Sequence, residues 1–174
     1  MSNRLKILLE GRPGVGKTTV ARRLADLLRE TGLEPKGFVT EELREAGRRV
    51  GFAVETLEGE RAVLAHVDLR GPPRVSRYGV DVEAFERLAL PALAELGESD
   101  LVVLDELGKM ELASEPFRAA VRRLFAEEGA VVATVHTARH PFTDALKRRA
   151  PVETIRVTTR NRDDLPRDLA ARLA

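Results

Sequence analysis

A glycine-rich segment near the start of the chain carries residue types that suit phosphate binding. It matches the pattern G-x-x-x-x-G-K-[ST] in full, with Gly11, Arg12, Pro13, Gly14, Val15, Gly16, Lys17 and Thr18. Glycines at this spacing let the backbone curl until successive N–H groups point at phosphate oxygens. Lys17 is expected to reach the β- and γ-phosphates of a nucleotide, and the Thr18 hydroxyl to ligate Mg2+. The segment predicts a phosphate-binding loop (P-loop), and Thr19 completes the nucleotide-binding set.

Two adjacent carboxylates follow a short apolar run in the middle of the chain. Residues 101–104 are all apolar, and Asp105 and Glu106 come directly after them. The C-terminal ends of parallel strands open toward the ligand crevice, so the pair should lie beside the nucleotide. Asp105 would contact Mg2+ directly or through its outer shell, and Glu106 would orient and deprotonate the attacking water. This arrangement favours hydrolysis over phosphoryl transfer to a second substrate, with Glu106 and Lys17 as catalytic groups.

Such a site needs a sheet that gathers several strand ends at one edge. Apolar runs and helical patterns alternate along the chain, which predicts an α/β fold with a mainly parallel sheet. The predicted strands are 5–9, 37–43, 101–104, 130–135 and 153–157, with an added β-hairpin of 48–56 and 61–67. The predicted helices cover 17–31, 81–96 (kinked or broken at Pro91), 114–128 and about 163 onward. Residues 69–80, rich in Pro, Gly and Arg, are predicted to form a loop.

Length and composition restrict the class of protein. The 174 residues fit one domain spanning 1–174, and 43% of them are hydrophobic. A formal net charge of +1 gives no bulk attraction to nucleic acid or membranes, and the absence of Cys excludes disulfides and Cys-ligated zinc. The apolar run 7–9 is too short for a secretory signal, and no stretch approaches the ~20 apolar residues of a membrane span. We therefore expect a cytoplasmic protein, as a monomer.

Further polar residues lie at predicted strand ends. Thr40 and Glu41 end the second predicted strand, where they would touch Mg2+-bound water or the γ-phosphate. Thr134 and His136 end another, where one of them would sense the γ-phosphate or hold the attacking water. His136 and His140 have the spacing of zinc ligands on a helix, but no Cys or H-E-x-x-H motif accompanies them. Five of the six phenylalanines are predicted to be core residues, namely Phe38, Phe52, Phe85, Phe117 and Phe125.

The segment after the last predicted strand is a candidate for base binding. Asn161 would donate hydrogen bonds to the base, and Arg162 or Arg160 would stack on it. Contacts of this kind tolerate different bases. The alternative is a turn that caps the final helix.

Residues 105–112 resemble the D-E-[IL]-G-K-M-E-L signature of the THEP-type nucleoside-triphosphatases, which include the cancer-related nucleoside-triphosphatase of animals. Residues 37–42, 47–57, 78–93 and 161–162 are similar to further segments of that family, in the same order. The resemblance implies a RecA-like three-layer sandwich with extra strands beside the parallel sheet. It also implies slow, Mg2+-dependent hydrolysis of ATP, GTP and other nucleoside triphosphates. Lys109 lies in the signature and is our first choice for a catalytic cation on the γ-phosphate. Arg48 is the second choice, and the other candidates are Arg44, Arg49, Arg74 and Arg77.

Two other functions compete with hydrolysis. A nucleotide or small-molecule kinase would need a lid and an acceptor pocket, which residues 44–77 could supply. A nucleotide-driven switch would instead bind RNA or a protein partner. The near-neutral charge argues against RNA, and Glu106 argues against the kinase.

Overall fold

The computed structural model describes residues 5–174. Residues 1–4, which belong to the polar start of the chain where no targeting signal is predicted, lie outside the described residues. The strands are β1 (Lys6–Gly11), β2 (Lys36–Glu45), β3 (Arg48–Thr56), β4 (Arg61–His66), β5 (Arg74–Val75), β6 (Tyr78–Val80), β7 (Leu101–Leu104), β8 (Ala130–His136) and β9 (Glu153–Arg156). The helices are α1 (Lys17–Glu30), α2 (Val82–Ala92), α3 (Glu115–Ala126), α4 (Pro141–Arg148) and α5 (Leu165–Leu173), with a 3-10 turn at Glu111–Ala113.

The strands form one sheet in the order β5-β6-β4-β3-β2-β7-β8-β1-β9. Strands β2, β7, β8, β1 and β9 are parallel, so their C-terminal ends meet at one edge. The other four strands continue the sheet in antiparallel fashion. The predicted α/β fold with a mainly parallel sheet and an added hairpin (β3–β4) is confirmed.

Two hydrophobic cores cover the two faces of the sheet. Alternate residues of β1 point to opposite faces, as they must in an extended strand. Ile7 and Leu9 pack with the apolar faces of α1 and α5, whereas Leu8 packs with residues of α2, α3 and α4. The result is a three-layer sandwich, in which helices on both faces bury the central strands.

Local signals explain where the helices on the second face begin. The Asp81 side chain accepts a hydrogen bond from the Ala84 N–H (3.0 Å) and caps α2. Ser114 accepts one from the Phe117 N–H (3.1 Å) and caps α3, as the sequence predicts. Pro91 lies in the last turn of α2, and the helix ends one residue later.

One prediction about secondary structure is wrong, and one helix was missed. Residues 69–80 do not form only a loop, because β5 and β6 pair there and β6 joins the sheet beside β4. These strands have two and three residues, too few for an alternating pattern to be recognised. Helix α4 was not predicted, since its eight residues give little more than two turns of periodicity. Within residues 5–174, no helix combines the length and apolar character needed to cross a membrane.

The contact between β2 and β7 can be tested through two glycines. A Cβ on Gly37 (φ 114°) would lie 2.0 Å from the carbonyl oxygen of Val103, whereas a Cβ on Gly32 (φ 85°) would meet no atom within 4 Å. Positive φ costs an alanine about 1–2 kcal/mol at either position. We expect Gly32→Ala to cost that amount and Gly37→Ala to lower the free energy of unfolding by at least about 3 kcal/mol in urea titrations. Equal losses would contradict the strand register.

Candidate active site

The P-loop connects the C-terminal end of β1 to the first turn of α1. Gly14 and Gly16 have φ values of 79° and 115°, which residues with a side chain rarely adopt. The Val15 N–H donates to the Arg12 carbonyl (3.2 Å) and closes a turn inside the loop. The loop therefore ends at the positive end of the α1 dipole, which favours an anion.

The Lys17 ammonium lies at the centre of the site. It donates to the carbonyl oxygens of Gly11 (2.7 Å) and Val135 (3.2 Å), which belong to β1 and β8. Its Nζ also lies 3.3 Å from Oε2 of Glu106, in the segment after β7. The lysine side chain is only 6% exposed, whereas that of Glu106 is 32% exposed. One buried cation thus joins three strand ends and holds Glu106 toward the P-loop.

The Asp105 carboxylate is buried, and both of its oxygens accept hydrogen bonds. Its Oδ1 accepts from the Thr134 hydroxyl (2.7 Å), and its Oδ2 accepts from the N–H and hydroxyl of Thr40 (both 3.3 Å). Thr40 and Thr134 were predicted near the γ-phosphate, and the structure shows that their hydroxyls bind this carboxylate. Asp105 therefore connects the C-terminal end of β7 with β8 and with the middle of β2, which runs on to Glu45.

A cavity of about 720 Å3 lies over the P-loop. Several predicted site residues line it, namely Pro13, Gly14, Gly16, Lys17, Thr18, Thr19 and Glu106. Thr40, Glu41 and His136 also line it. The cavity is not lined by the remaining predicted residues, which are Gly11, Arg12, Val15, Asp105, Lys109, Asn161 and Arg162. The volume is in the range of small-molecule sites, and charged side chains from several elements line the cavity beside the P-loop.

The donor set fits Mg2+ better than a metal held entirely by protein. Within residues 5–174, no group of three or more His, Cys, Asp or Glu side chains could hold a metal ion. Mg2+ keeps several waters and takes one or two protein oxygens together with substrate phosphates. Thr18 offers a hydroxyl in the cavity, and Asp105 lies beneath Thr40 with its oxygens already accepting hydrogen bonds. This geometry suits Thr18 as a direct ligand and Asp105 as an outer-shell acceptor.

The cations around the cavity differ from the predicted ranking. Arg48, our second choice, is exposed at the start of β3 and does not line the cavity, whereas Arg49 does. Successive residues of a strand point to opposite faces, so only one of the two can face the site. Arg22 also lines the cavity and donates to the Thr40 carbonyl (3.3 Å), a residue that the sequence did not single out. Lys109 is exposed and borders a neighbouring cavity.

The segment proposed for base binding packs against the outside of the P-loop. Arg162 donates to the Val15 carbonyl (3.1 Å), and its Cδ would lie 3.2 Å from a Cβ on Gly16. The Asn161 amide accepts from the Thr158 N–H and donates to the Arg156 carbonyl (both 2.8 Å). Asn161 thus shapes its own turn, and base contact by this pair stays a prediction.

Phe52, predicted to be a core residue, is only partly buried and lines the cavity. The other four predicted core phenylalanines are buried: Phe38, Phe85, Phe117 and Phe125. Phe52 lies on β3, in the antiparallel extension of the sheet, and packs against the core from its edge. Its ring packs edge-on against Tyr78, with centroids 5.4 Å apart.

Glu111 is a buried acid beside Glu106 that the sequence reasoning did not single out. Its side chain is 4% exposed and accepts a hydrogen bond from the Gly108 N–H (3.2 Å). Burial, together with the negative charges of Glu106 and Asp105, raises the pKa of Glu111 well above its usual value. A Cβ on Gly108 would lie 2.9 Å from Oε1 of Glu106 and 3.0 Å from Oε2 of Glu111. The available signal was the placement of Glu111 between two apolar residues inside the signature.

Comparisons with known proteins identify the family. A family model described as NTPase matches residues 6–170. The chain belongs to the NTPase family. It is 42% identical over 166 residues to the nucleoside-triphosphatase THEP1 of Thermotoga petrophila, a match that covers 95% of this chain and 90% of that protein.

Solved structures of the NTPase family share this fold. The crystal structure of THEP1 from the hyperthermophile Aquifex aeolicus superposes with a TM-score of 0.87 at 35% identity, over 97% of this chain and 99% of that one. The solution structure of a human cancer-related nucleoside triphosphatase gives a TM-score of 0.83 at 38% identity, over 96% of both chains. The predicted THEP-type family and the enzyme class, a nucleoside-triphosphatase, are confirmed.

The crowding at Gly108 yields a test of the carboxylate geometry. Gly108→Ala must displace the carboxylates of Glu106 and Glu111. A Cβ on Gly97 would instead be in ordinary contact with the Asp100 carboxylate, at 3.7 Å. We expect Gly108→Ala to lower the rate of nucleoside-triphosphate hydrolysis by about tenfold or more, because misplaced groups lose rate steeply. The matched control Gly97→Ala should keep the wild-type rate. Similar rates for both variants would contradict this role of Gly108.

The buried Glu111 makes stability depend on pH. The Glu111 carboxyl binds its proton more tightly in the folded chain than in the unfolded chain. The stability that this difference contributes is complete below the unfolded pKa of Glu111, near 4.5, and is lost as the pH rises toward the folded pKa. Glu111→Gln removes this proton linkage. We expect the variant to gain stability over wild type as the pH rises from 4.5, by at most about 1.4 kcal/mol per pH unit. Urea unfolding in EDTA measures the free energy of unfolding of both proteins at each pH. A difference between variant and wild type that does not vary with pH would contradict the raised pKa of Glu111.

Proposed function

We propose that this chain hydrolyses nucleoside 5'-triphosphates, ATP and GTP among them, to the diphosphate and phosphate in a reaction that needs Mg2+. The observation that carries the proposal is the contact between Lys17 and Glu106 at the edge of one cavity over the P-loop. A phosphate-binding cation and a partly exposed carboxylate stand within 3.3 Å of each other at the ends of parallel strands. Hydrolysis needs both groups, one for the γ-phosphate and one for the water.

Each group at the site has its own role in this reaction. The P-loop N–H groups and Lys17 bind the phosphates and offset the negative charge that shifts toward the β-phosphate as the β–γ bond breaks. Glu106 accepts a proton from the water whose oxygen attacks the γ-phosphorus. Bound by Thr18 and held near Asp105, Mg2+ would offset charge on the β- and γ-phosphate oxygens.

Broad base tolerance is part of the proposal. The groups that line the cavity converge on the phosphate end, and the amide of Asn161 is engaged within its own turn. With Arg162 packed on the P-loop, little remains to distinguish one base from another. Lys109 as a catalytic cation, the single domain, the monomeric state and the cytoplasmic location also stay predictions.

Phosphate release from ATP, GTP, CTP and UTP tests the proposal, with Mg2+ and with EDTA. We expect all four nucleotides to be hydrolysed at rates within about tenfold of one another and EDTA to abolish the reaction, because Mg2+ and Lys17 carry the charge stabilisation. Lys17→Ala should lower the rate by at least about a hundredfold. The matched control is Lys36→Ala, at the start of β2, where the side chain pairs with Glu58 away from the site.

Two outcomes would contradict the proposal. Phosphate release that depends strictly on an added acceptor would make the chain a kinase. Full activity in EDTA would exclude the assigned metal requirement.

A further inference from the structure

A second cavity, of about 470 Å3, adjoins the one over the P-loop. Six residues line both cavities, namely Pro13, Thr40, Arg49, Phe52, Glu106 and His136. Glu106 therefore faces both spaces. A water molecule takes up about 30 Å3, so hydrolysis alone does not call for a space of this size. The volume lies within the range of small-molecule binding sites.

The floor of the second cavity is buried and mainly apolar. Leu64, Tyr78 and Leu107 line it with exposures of 1%, 3% and 2%. The antiparallel extension of the sheet supplies the first two, and the segment after β7 supplies the third. Two buried polar residues, Glu111 and Thr143, also line this cavity. An apolar molecule would gain burial here and would find a few polar partners.

The rim of the cavity is exposed and carries positive charge. Arg49, Lys109 and Arg139 line it, and all three are exposed. Arg49 also pairs with Glu42, and Arg139 pairs with Asp144. Within residues 5–174, the Lys109 ammonium has neither an ion pair nor a side-chain hydrogen bond. A free cation above an apolar floor suits a ligand with an apolar body and an anionic group.

A nucleotide bound as proposed above would leave the second cavity free. In that proposal Lys17 and Thr18 hold the γ-phosphate near Glu106, and the base lies at the opposite end of the nucleotide. Glu106 lines both cavities, so the second cavity would adjoin the γ-phosphate end. A ligand of the second cavity would therefore be a molecule other than the nucleotide.

We propose that the second cavity binds a small amphipathic organic anion, whose apolar body lies on Leu64, Tyr78 and Leu107 and whose charge lies near Lys109. A molecule in this position covers the side of Glu106 that faces away from the P-loop and limits the access of water. Its binding slows phosphate release. This second part rests on the proposed function, whereas binding itself does not require it.

The probe is 8-anilinonaphthalene-1-sulfonate, an anion with an apolar body whose fluorescence rises in apolar surroundings. Titration without nucleotide should give saturable binding to one site. Ala138→Trp places an indole at the cavity rim from an exposed loop position, so folding should be preserved, and it should weaken binding by at least about tenfold. The matched control is Ala126→Trp, at an exposed position on α3 that does not line the cavity, and it should bind as wild type does.

The anionic class is tested with N-phenyl-1-naphthylamine, which has the same rings without the sulfonate. It should bind at least about fivefold more weakly than the anion, since it cannot pair with Lys109. Equal or tighter binding of the neutral compound would overturn the assignment of an anionic ligand.

Phosphate release from MgATP gives the second readout. With saturating anion, the wild-type rate should fall at least about threefold, with the same half-saturation as the fluorescence, and Ala138→Trp should be less sensitive. Absence of saturable binding, or binding that Ala138→Trp leaves unchanged, would overturn the site. Binding without any effect on phosphate release would overturn the control of water access. A chain that binds the anion but releases no phosphate without it would instead count against the proposed function.

Discussion

The ammonium group of Lys17 is the contact on which the rest of the site depends. It is buried, so it needs oxygen partners, and it takes them from Gly11, Val135 and Glu106. These partners end β1 and β8 and begin the segment after β7, strands that lie side by side only because the sheet is parallel there. The fold thus determines where the cation lies, and the cation determines where Glu106 points.

A second set of contacts, made by Asp105, supports the arrangement around Lys17. Asp105 binds the hydroxyls of Thr40 and Thr134, so strands β2, β7 and β8 cannot separate here without leaving a buried carboxylate unpaired. Glu111 lies on the far side of Glu106, where burial and its acidic neighbours raise its pKa. Three acids are therefore packed near one lysine, and only Glu106 among them is substantially exposed.

The sequence predicts the parts of this site whose residue types are demanding. The glycines of the P-loop, Lys17 and the acids after β7 are recognisable because few other residues could serve there, and parallel strands bring them together. Arg49 was only one of several candidate cations ranked below Arg48, and Phe52 was predicted in the core, because the sequence does not show which face of β3 turns toward the P-loop. Strands β5 and β6 were missed because pairing with β4, a tertiary contact, stabilises segments of two or three residues.

Single-turnover hydrolysis by Glu106→Gln tests the central claim most directly, namely that Lys17 holds Glu106 as the base for the attacking water. The variant should bind MgATP within about threefold of wild type, because Gln keeps the shape of the side chain, and cleave it at least about a hundredfold more slowly. Glu42→Gln is the matched control, a carboxylate in the same cavity wall that pairs with arginines, and it should cleave at the wild-type rate. A Glu106→Gln variant that cleaves at nearly the wild-type rate would show that another group activates the water.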